Sequence, residues 1–320
     1  MSRGLGLAIP FWLDRPDEEG VEIAQTADRV GMETVWVGEM ASFDAFALAT
    51  AIGLGTGRIR IKVGPLASGV RSPVAIALGA SSVATLVGRP VDVALGASSP
   101  AIVSGWHGRP WSGLAGQMQD SVRALRSLLD GERSNLRGFR LRRPQPGALI
   151  TVAAFGPAMT RVAARHADEV VLNLVTPERV AAVRRTIEAE ARAAGREAPQ
   201  LAVWVPAALD PGPQALAQLA GQLAAYLAAP GYAELFAALG FGELVDRARA
   251  GAARAELGTS VPIELLAQIG ALGSAGEIAA RVAAYHEAGA DHVAVVPSTA
   301  EDPAGQRVLE SLSTQPAVRT

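Results

Sequence analysis

Eight short apolar runs, each followed by a helical pattern, constrain this chain more than any other feature. The runs are Leu5–Ile9, Thr34–Val37, Arg60–Val63, Val91–Leu95, Leu149–Ala153, Glu169–Leu172, Leu201–Val205 and His292–Val296. They are rich in branched residues and too short for buried helices, so they read as strands. Helices are expected between them. Residues 17–30 place Val21, Ala24, Ala27 and Val30 on one stripe, and 274–288 does the same with Ile278, Val282 and Tyr285. Segments 44–54, 72–86, 114–129, 158–166 and 177–194 follow similar patterns, and a last helix is expected near 303–312. Strand and helix in alternation predict a parallel sheet with crossover helices. Eight such units favour a (β/α)8 TIM barrel over an open doubly wound sheet. Residues 1–320 are expected to form one domain of this kind.

Two stretches break the alternation. Residues 131–147, rich in Arg, Pro and Gly, read as irregular. Residues 212–272 read as a helical insertion between the seventh strand and its crossover helix, carrying Tyr226, Pro230, Tyr232, Phe236, Leu239 and Phe241. A segment this long points to a lid or an oligomer surface.

Composition excludes several classes. Hydrophobic residues make up 49 % of the 320, enough for a large core, and the net charge of −2 gives nucleic acid or an anionic membrane no electrostatic hold. There is no cysteine, so disulfides, thiolate catalysis and cysteine-bound zinc are out. The apolar part of the amino end is too short for a signal-peptide core, and no run of eighteen apolar residues could span a bilayer. A cytoplasmic location is expected.

In a (β/α)8 barrel the chemistry lies on the loops after the strands. Val91–Leu95 runs into Gly96, Ala97, Ser98 and Ser99, then into Trp106, His107 and Trp111. His107 is the one histidine of four on such a loop; His166, His286 and His292 are assigned to the bottom or the outer wall. No second ligand stands beside His107, which argues against a metal. Glu39 and Asp44 follow the second strand, Asn173 the sixth and Asp210 the seventh. Asp44 reads equally as a helix cap. Gly64, Pro65 and Leu66 end the third strand, where a bulge or a cis peptide would fit. Ala154, Phe155, Gly156, Pro157, Ala158 and Met159 join the fifth strand to its helix; Gly156 admits a ligand and the free helix amides suit an anion. A plain turn fits there too. Lys62 is the only lysine, and Schiff-base chemistry would need it inward and desolvated.

Taken together these motifs resemble one family. Val35-Trp36-Val37-Gly38-Glu39 with Asp44-Ala45-Phe46-Ala47-Leu48, Arg71-Ser72-Pro73, Leu95–Pro100, Gly105-Trp106-His107-Gly108 and Ala154–Met159 are similar to the bacterial luciferase-like oxidoreductases. Tyr226-Leu227, Pro230-Gly231-Tyr232 and Leu239-Gly240-Phe241-Gly242 resemble the insertion of the branch that uses coenzyme F420. The resemblance implies a barrel binding F420 or FMN at its top face. It implies that Gly156, Pro157 and Ala158 contact the cofactor phosphate and that Gly96 to Ser99 line the tail or ring. Gly64, Pro65 and Leu66 would form the bulge behind the ring, and Glu39 would be the acidic residue at the cofactor. Sugar-phosphate dehydrogenases of the family carry a catalytic histidine where this chain has Met40, and a loop glutamate where it has Ser98 and Ser99. That departure leaves His107 and Glu39 as the candidate catalytic residues.

Three functions are carried forward. The first is an F420-dependent oxidoreductase transferring hydride to or from a small organic substrate. The second is an FMN monooxygenase fed by a separate reductase. The third is a cofactor-binding protein without turnover. A homodimer is expected.

Overall fold

The structure is a computed structural model that describes residues 4–12, 14–39, 41–133 and 138–313. Met40, singled out above, lies outside the described residues.

Among the described residues nine strands run in parallel: β1 Gly4–Ala8, β2 Thr34–Val37, β3 Arg60–Ala67, β4 Val91–Gly96, β5 Ile150–Ala153, β6 Glu169–Asn173, β7 Gln200–Leu209, β8 Ala271–Gly273 and β9 His292–Pro297. Neighbours in sequence pair from β1 to β7, then β7 pairs with β9 and β9 with β1. This closes an eight-stranded parallel barrel from β1–β7 and β9. Strand β8 stands outside that ring and pairs only with Ala207, Ala208 and Leu209, the far end of β7. Its three residues are too few to show a period, and the sequence reading missed it.

The helices are α1 Glu19–Arg29, α2 Ala45–Gly55, α3 Pro73–Val87, α4 Leu114–Leu129, α5 Pro157–His166 and α6 Pro177–Ala193. After β7 come α7 Pro213–Ala224, α8 Tyr232–Phe236, α9 Gly242–Arg249, α10 Arg254–Ser260 and α11 Ile263–Ile269, and after β8 come α12 Ala275–Glu287 and α13 Gln306–Ser313. Their starts are written locally. Asp44 caps α2 by accepting from the amides of Phe46 and Ala47, at 2.9 and 3.1 Å. Ser72, Thr176 and Ser274 cap α3, α6 and α12. Among the described residues no helix is long and apolar enough to cross a membrane.

Strand alternation sorts side chains into two cores. Leu7, Val35, Ile61, Val93, Val152, Val170, Val203 and Val295 face the helices. The other face fills the barrel, and it is unusually polar at its base. Lys62 on β3 donates to Glu169 on β6 at 2.6 Å, and Thr151 on β5 donates to the same carboxylate oxygen at 2.7 Å. The Lys62 ammonium lies 4.6 Å from the centre of the Trp36 ring. Trp36 meets Trp204 edge to face at 5.6 Å. Lys62 is therefore inward and desolvated, but it is committed to an ion pair. His292 is also inside, not on the outer wall, and bonds the Thr34 hydroxyl at 2.7 Å. Room for it comes from β1: a Cβ at Gly6 would stand 2.3 Å from the Thr34 oxygen and 2.7 Å from the His292 ring.

Burial pushes the His292 imidazole down to about 3, with help from the charge of Lys62 and from His286. The unfolded chain takes a proton at that histidine near pH 6.5, and the folded chain refuses it. Its contribution to stability is complete above about pH 6.5 and is lost as the pH falls toward 3. Between pH 7 and pH 5 this group should cost about 2 kcal/mol. Urea unfolding at the two pH values should show a steeper loss in the native chain than in His292→Asn. Equal losses would refute the assignment.

Candidate active site

The carboxyl ends of β2 to β6 lie side by side and gather most of the residues picked out in the sequence. The centre is a bulge in β3. Val63 pairs with Val93 but Leu66 pairs with Leu95, so β3 carries one extra residue there. The Gly64–Pro65 peptide is cis, and Gly64 has φ +127°. A Cβ at Gly64 would stand 2.2 Å from the Ala94 carbonyl oxygen, so only glycine fits against β4. On β4, a Cβ at Gly96 would lie 3.2 Å from Pro65 and 3.8 Å from the Cβ of Ala153. Gly64, Pro65 and Gly96 thus form one platform of small groups, closed by β5, while the Leu66 side chain is fully buried in the core and reaches this platform only through its backbone.

Beyond Gly96 the backbone is tightly held. The Ala97 carbonyl accepts from the Trp111 indole at 3.2 Å. Ser98 takes φ +60°, and the Ser99 hydroxyl accepts from the Ile102 amide at 3.4 Å. Residues Ala101–Trp106 then wind into a π-helical turn. His107 ends that turn, exposed like Trp106. Among the described residues no hydrogen bond or ion pair joins its ring to the strand ends. Trp12, by contrast, is buried and donates to the Pro297 carbonyl at 3.0 Å.

Glu39 follows β2, where both of its carboxylate oxygens accept from Arg71, one at 2.9 Å. Arg71 also bonds Asp44. These hydrogen bonds, to Glu39 first, raise the guanidinium above its ordinary range. Burial works against ionising Asp44, but Arg71 and the Ala47 and Phe46 amides outweigh it and hold the carboxyl below the usual range. Arg71 thus fixes Glu39 at the rim and ties it to the start of α2.

After β5, Ala154 is buried and Phe155 half-buried, while Gly156, Pro157 and Ala158 are exposed. Gly156 caps α5, Pro157 takes its first position, and the Thr160 amide already bonds the Gly156 carbonyl at 3.0 Å. The amides of Ala158 and Met159 lie in the first turn, where a helix leaves its N–H groups without partners in the helix. Nothing would crowd a Cβ at Gly156, so the space before the helix is open. Arg179 from the first turn of α6 donates to the Phe155 carbonyl at 2.9 Å and stands beside this turn. The sequence reading missed Arg179 because nothing local says that α6 begins next to α5. Among the described residues no group of His, Asp or Glu is placed to hold a metal ion.

The sequence of residues 13–292, which contains the bulged β3, the glycine-ended β4 and the open turn after β5, matches the profile of the luciferase-like monooxygenases. The chain belongs to the luciferase-like monooxygenase family. It is therefore an oxidoreductase of that family. A Mycobacterium tuberculosis protein provisionally named a coenzyme F420-dependent oxidoreductase is 27 % identical over 105 residues, 33 % of this chain and 30 % of that protein. The aligned segment thus spans under a third of that relative's length. Two F420 enzymes share the fold: a secondary alcohol dehydrogenase with an F420–acetone adduct (TM-score 0.77, 18 % identity, all of both chains) and the tetrahydromethanopterin reductase of Methanopyrus kandleri (TM-score 0.79, 15 % identity, 98 % of each). So does the FMN-bound oxygenating constituent of 3,6-diketocamphane monooxygenase from Pseudomonas putida (TM-score 0.70, 18 % identity, 99 % of this chain and 98 % of that one).

In this luciferase-like barrel, Gly64→Ala should be the most damaging small change at the platform. The added methyl meets backbone on β4 that cannot move without breaking the sheet. We expect a loss of about 3 kcal/mol or more, from overpacking and a left-handed φ together. Thermal melting measures it; Gly156→Ala, in open space, is the control that should melt near the native temperature.

Proposed function

We propose that the protein is a coenzyme F420-dependent oxidoreductase acting on a small organic substrate. The observation that carries this reading is the open start of α5 at Gly156–Met159, set beside the Gly64–Leu66 platform and Arg179. F420 and FMN both join a flat tricyclic ring to a phosphate through a ribityl chain, and both would fit this arrangement. Ala158 and Met159 would donate their amides to the phosphate, Gly156 and Pro157 would leave it room, and Phe155 and Ala154 would wall the chain. Gly96, Ala97, Ser98 and Ser99 would line the ring or tail, with Gly64, Pro65 and Leu66 behind the ring. The bound cofactor would supply the hydride chemistry. The protein's part is to orient the ring, exclude water and offer polar contacts at the rim. Glu39, fixed by Arg71, would contact the cofactor. His107 would have to swing in from its exposed turn to pass a proton. The F420 branch is favoured by the resemblance of residues 226–242 and by the two F420-enzyme folds.

The second reading, an FMN monooxygenase supplied by a separate reductase, is favoured by the family itself and by the FMN-bound neighbour. Tryptophan quenching by F420 and FMN in parallel separates the two, with micromolar saturation by F420 alone expected. Saturation by FMN alone would move the assignment to the monooxygenase. Ala158→Glu adds an anion at the exposed start of α5, where it suits the helix dipole but repels a phosphate. It should weaken cofactor binding at least tenfold and leave the melting temperature unchanged. Unchanged affinity would remove the phosphate from this turn.

A homodimer is part of the same proposal. Helices α2 and α3 contain no charged residue, yet Leu54, Leu78 and Leu86 on them are 68, 44 and 63 % exposed. An uncharged two-helix face of this kind suits a second copy of the chain. Sedimentation should find a dimer in the native protein and a monomer in the Leu54→Glu, Leu86→Glu double variant. A native monomer would overturn it.

A further inference from the structure

Among the described residues four buried polar side-chain atoms have no hydrogen-bond partner, and all four lie in the barrel interior: Nε1 of Trp36, Nε1 of Trp204, Oε1 of Glu169 and Nδ1 of His292. Trp36, Glu169 and His292 are 0, 1 and 7 % exposed, and Trp204, half-buried as a residue, has its indole nitrogen enclosed. They come from β2, β6, β9 and β7 and share one neighbourhood. The Trp36 ring lies 5.6 Å from Trp204 and 6.3 Å from His292, centre to centre. The Lys62 ammonium, 4.6 Å from the Trp36 ring, bonds Glu169. That carboxylate is used unevenly. Its Oε2 accepts from both Lys62 and Thr151, at 2.6 and 2.7 Å, while Oε1 accepts from no described residue. Buried polar groups elsewhere are met. Asp92 accepts from Arg60 and from the Leu149 amide, and the Trp12 indole donates to the Pro297 carbonyl.

A buried polar atom left unpaired carries its full desolvation cost, so native interiors complete such atoms with protein groups or ordered water. The chemistry here narrows what can complete them. An indole N–H only donates, and a carboxylate oxygen only accepts. A ligand serving both must accept from the tryptophans and donate to Glu169. An anion would be repelled by the carboxylate, and a metal ion by the two N–H groups and the Lys62 charge. Lys62 and Glu169 already balance one positive charge against one negative, so the site calls for a neutral molecule. His292 bonds Thr34 through Nε2, so its Nδ1 donates or accepts according to the tautomer, and a molecule with both functions meets either case. Room at this level is small. Ala94, Ala202 and Ala294 stand in register beside Thr151, His292 and Trp204, so only methyl groups separate the large side chains.

We infer that the barrel interior is a binding site for ordered water, which accepts from the indole N–H groups of Trp36 and Trp204, donates to Oε1 of Glu169 and bonds Nδ1 of His292. Water is the smallest neutral molecule that both accepts and donates, and an enclosed water with two to four polar partners is held as part of the fold. It turns the Lys62–Glu169 pair into a network bonded at both carboxylate oxygens, the condition under which a buried ion pair is tolerated. The site stands apart from the proposed activity, since it needs neither cofactor nor substrate.

NMR of the full-length protein labelled with 15N-tryptophan tests this. The chain has five tryptophans; Trp→Phe variants assign four indole signals and leave that of the fully buried Trp36 by difference. The indole N–H of Trp36 and that of Trp204 should each give a cross-peak to water, of opposite sign in laboratory-frame and rotating-frame experiments. Opposite signs mark direct contact with a bound water, and equal signs mark proton exchange with solvent. Trp12, also buried but bonded to a carbonyl, should give no such peak. Silence from Trp36 or from Trp204, or peaks of equal sign, would overturn the inference. A crystal structure of the native protein checks Glu169 independently. Density for a water within about 3.2 Å of Oε1 and of an indole nitrogen is expected. An Oε1 surrounded by carbon alone would overturn the inference as well.

Discussion

Closing eight parallel strands into a ring obliges the inward face to be filled, and in this chain it is filled by a buried ion pair set among aromatic rings. Lys62 on β3 and Glu169 on β6 reach each other inside the barrel past two intervening strands, and Trp36, Trp204 and His292 pack around them. Two desolvated charges are tolerated only when paired and further bonded, and here the Thr151 hydroxyl and the Trp36 ring share the task. Bulk at that level demands absence of bulk next to it. Gly4 and Gly6 on β1 leave room for His292, and Ala8, Ala94, Ala202 and Ala294 occupy other inward positions. Removing Lys62 alone would strand Glu169 in a site closed to bulk solvent, so the pair behaves as a single structural unit.

That filled base makes the mouth a rigid frame. The bulge at Gly64 and Pro65 moves the end of β3 out of step with β4 and opens a flat platform without any side chain of size. Arg71 fixes the rim on one side by holding Glu39 and Asp44 together. The opposite rim is fixed by the segment after β7. Gln218 on α7 accepts from the Ser298 hydroxyl at 2.7 Å and from the Thr299 amide at 2.8 Å, both just past β9. The same side chain donates to Asp14 beyond β1, so one residue seams α7 to two strand ends.

Legibility followed the range of the interaction. The strands on the barrel ring were readable because each announces itself within five or six residues. Asp44, Ser72 and Pro157 act on amides one to three positions away, and their roles could be read in place. The bulge was half-visible, since Gly-Pro at a strand end restricts the backbone whatever the neighbours are. Lys62 shows the limit. Its sequence position says that it is in a strand but not which way it faces, and alternation alone cannot separate a helix-facing residue from a barrel-facing one when both faces are buried. His107 shows the converse. It was placed on the correct loop, but the π-helical turn before it carries the ring into solvent.

By itself the sequence determined the number of β/α units, their order, the helix caps and the loops on which chemistry could lie. All of these depend on periodicity and on contacts between near neighbours. The tertiary structure alone decided that Arg71 clamps Glu39 and that Arg179 stands beside the start of α5. Those partners lie 32 and 24 residues apart in the chain. They meet only because the barrel closes, and closure is a property of all eight strands together.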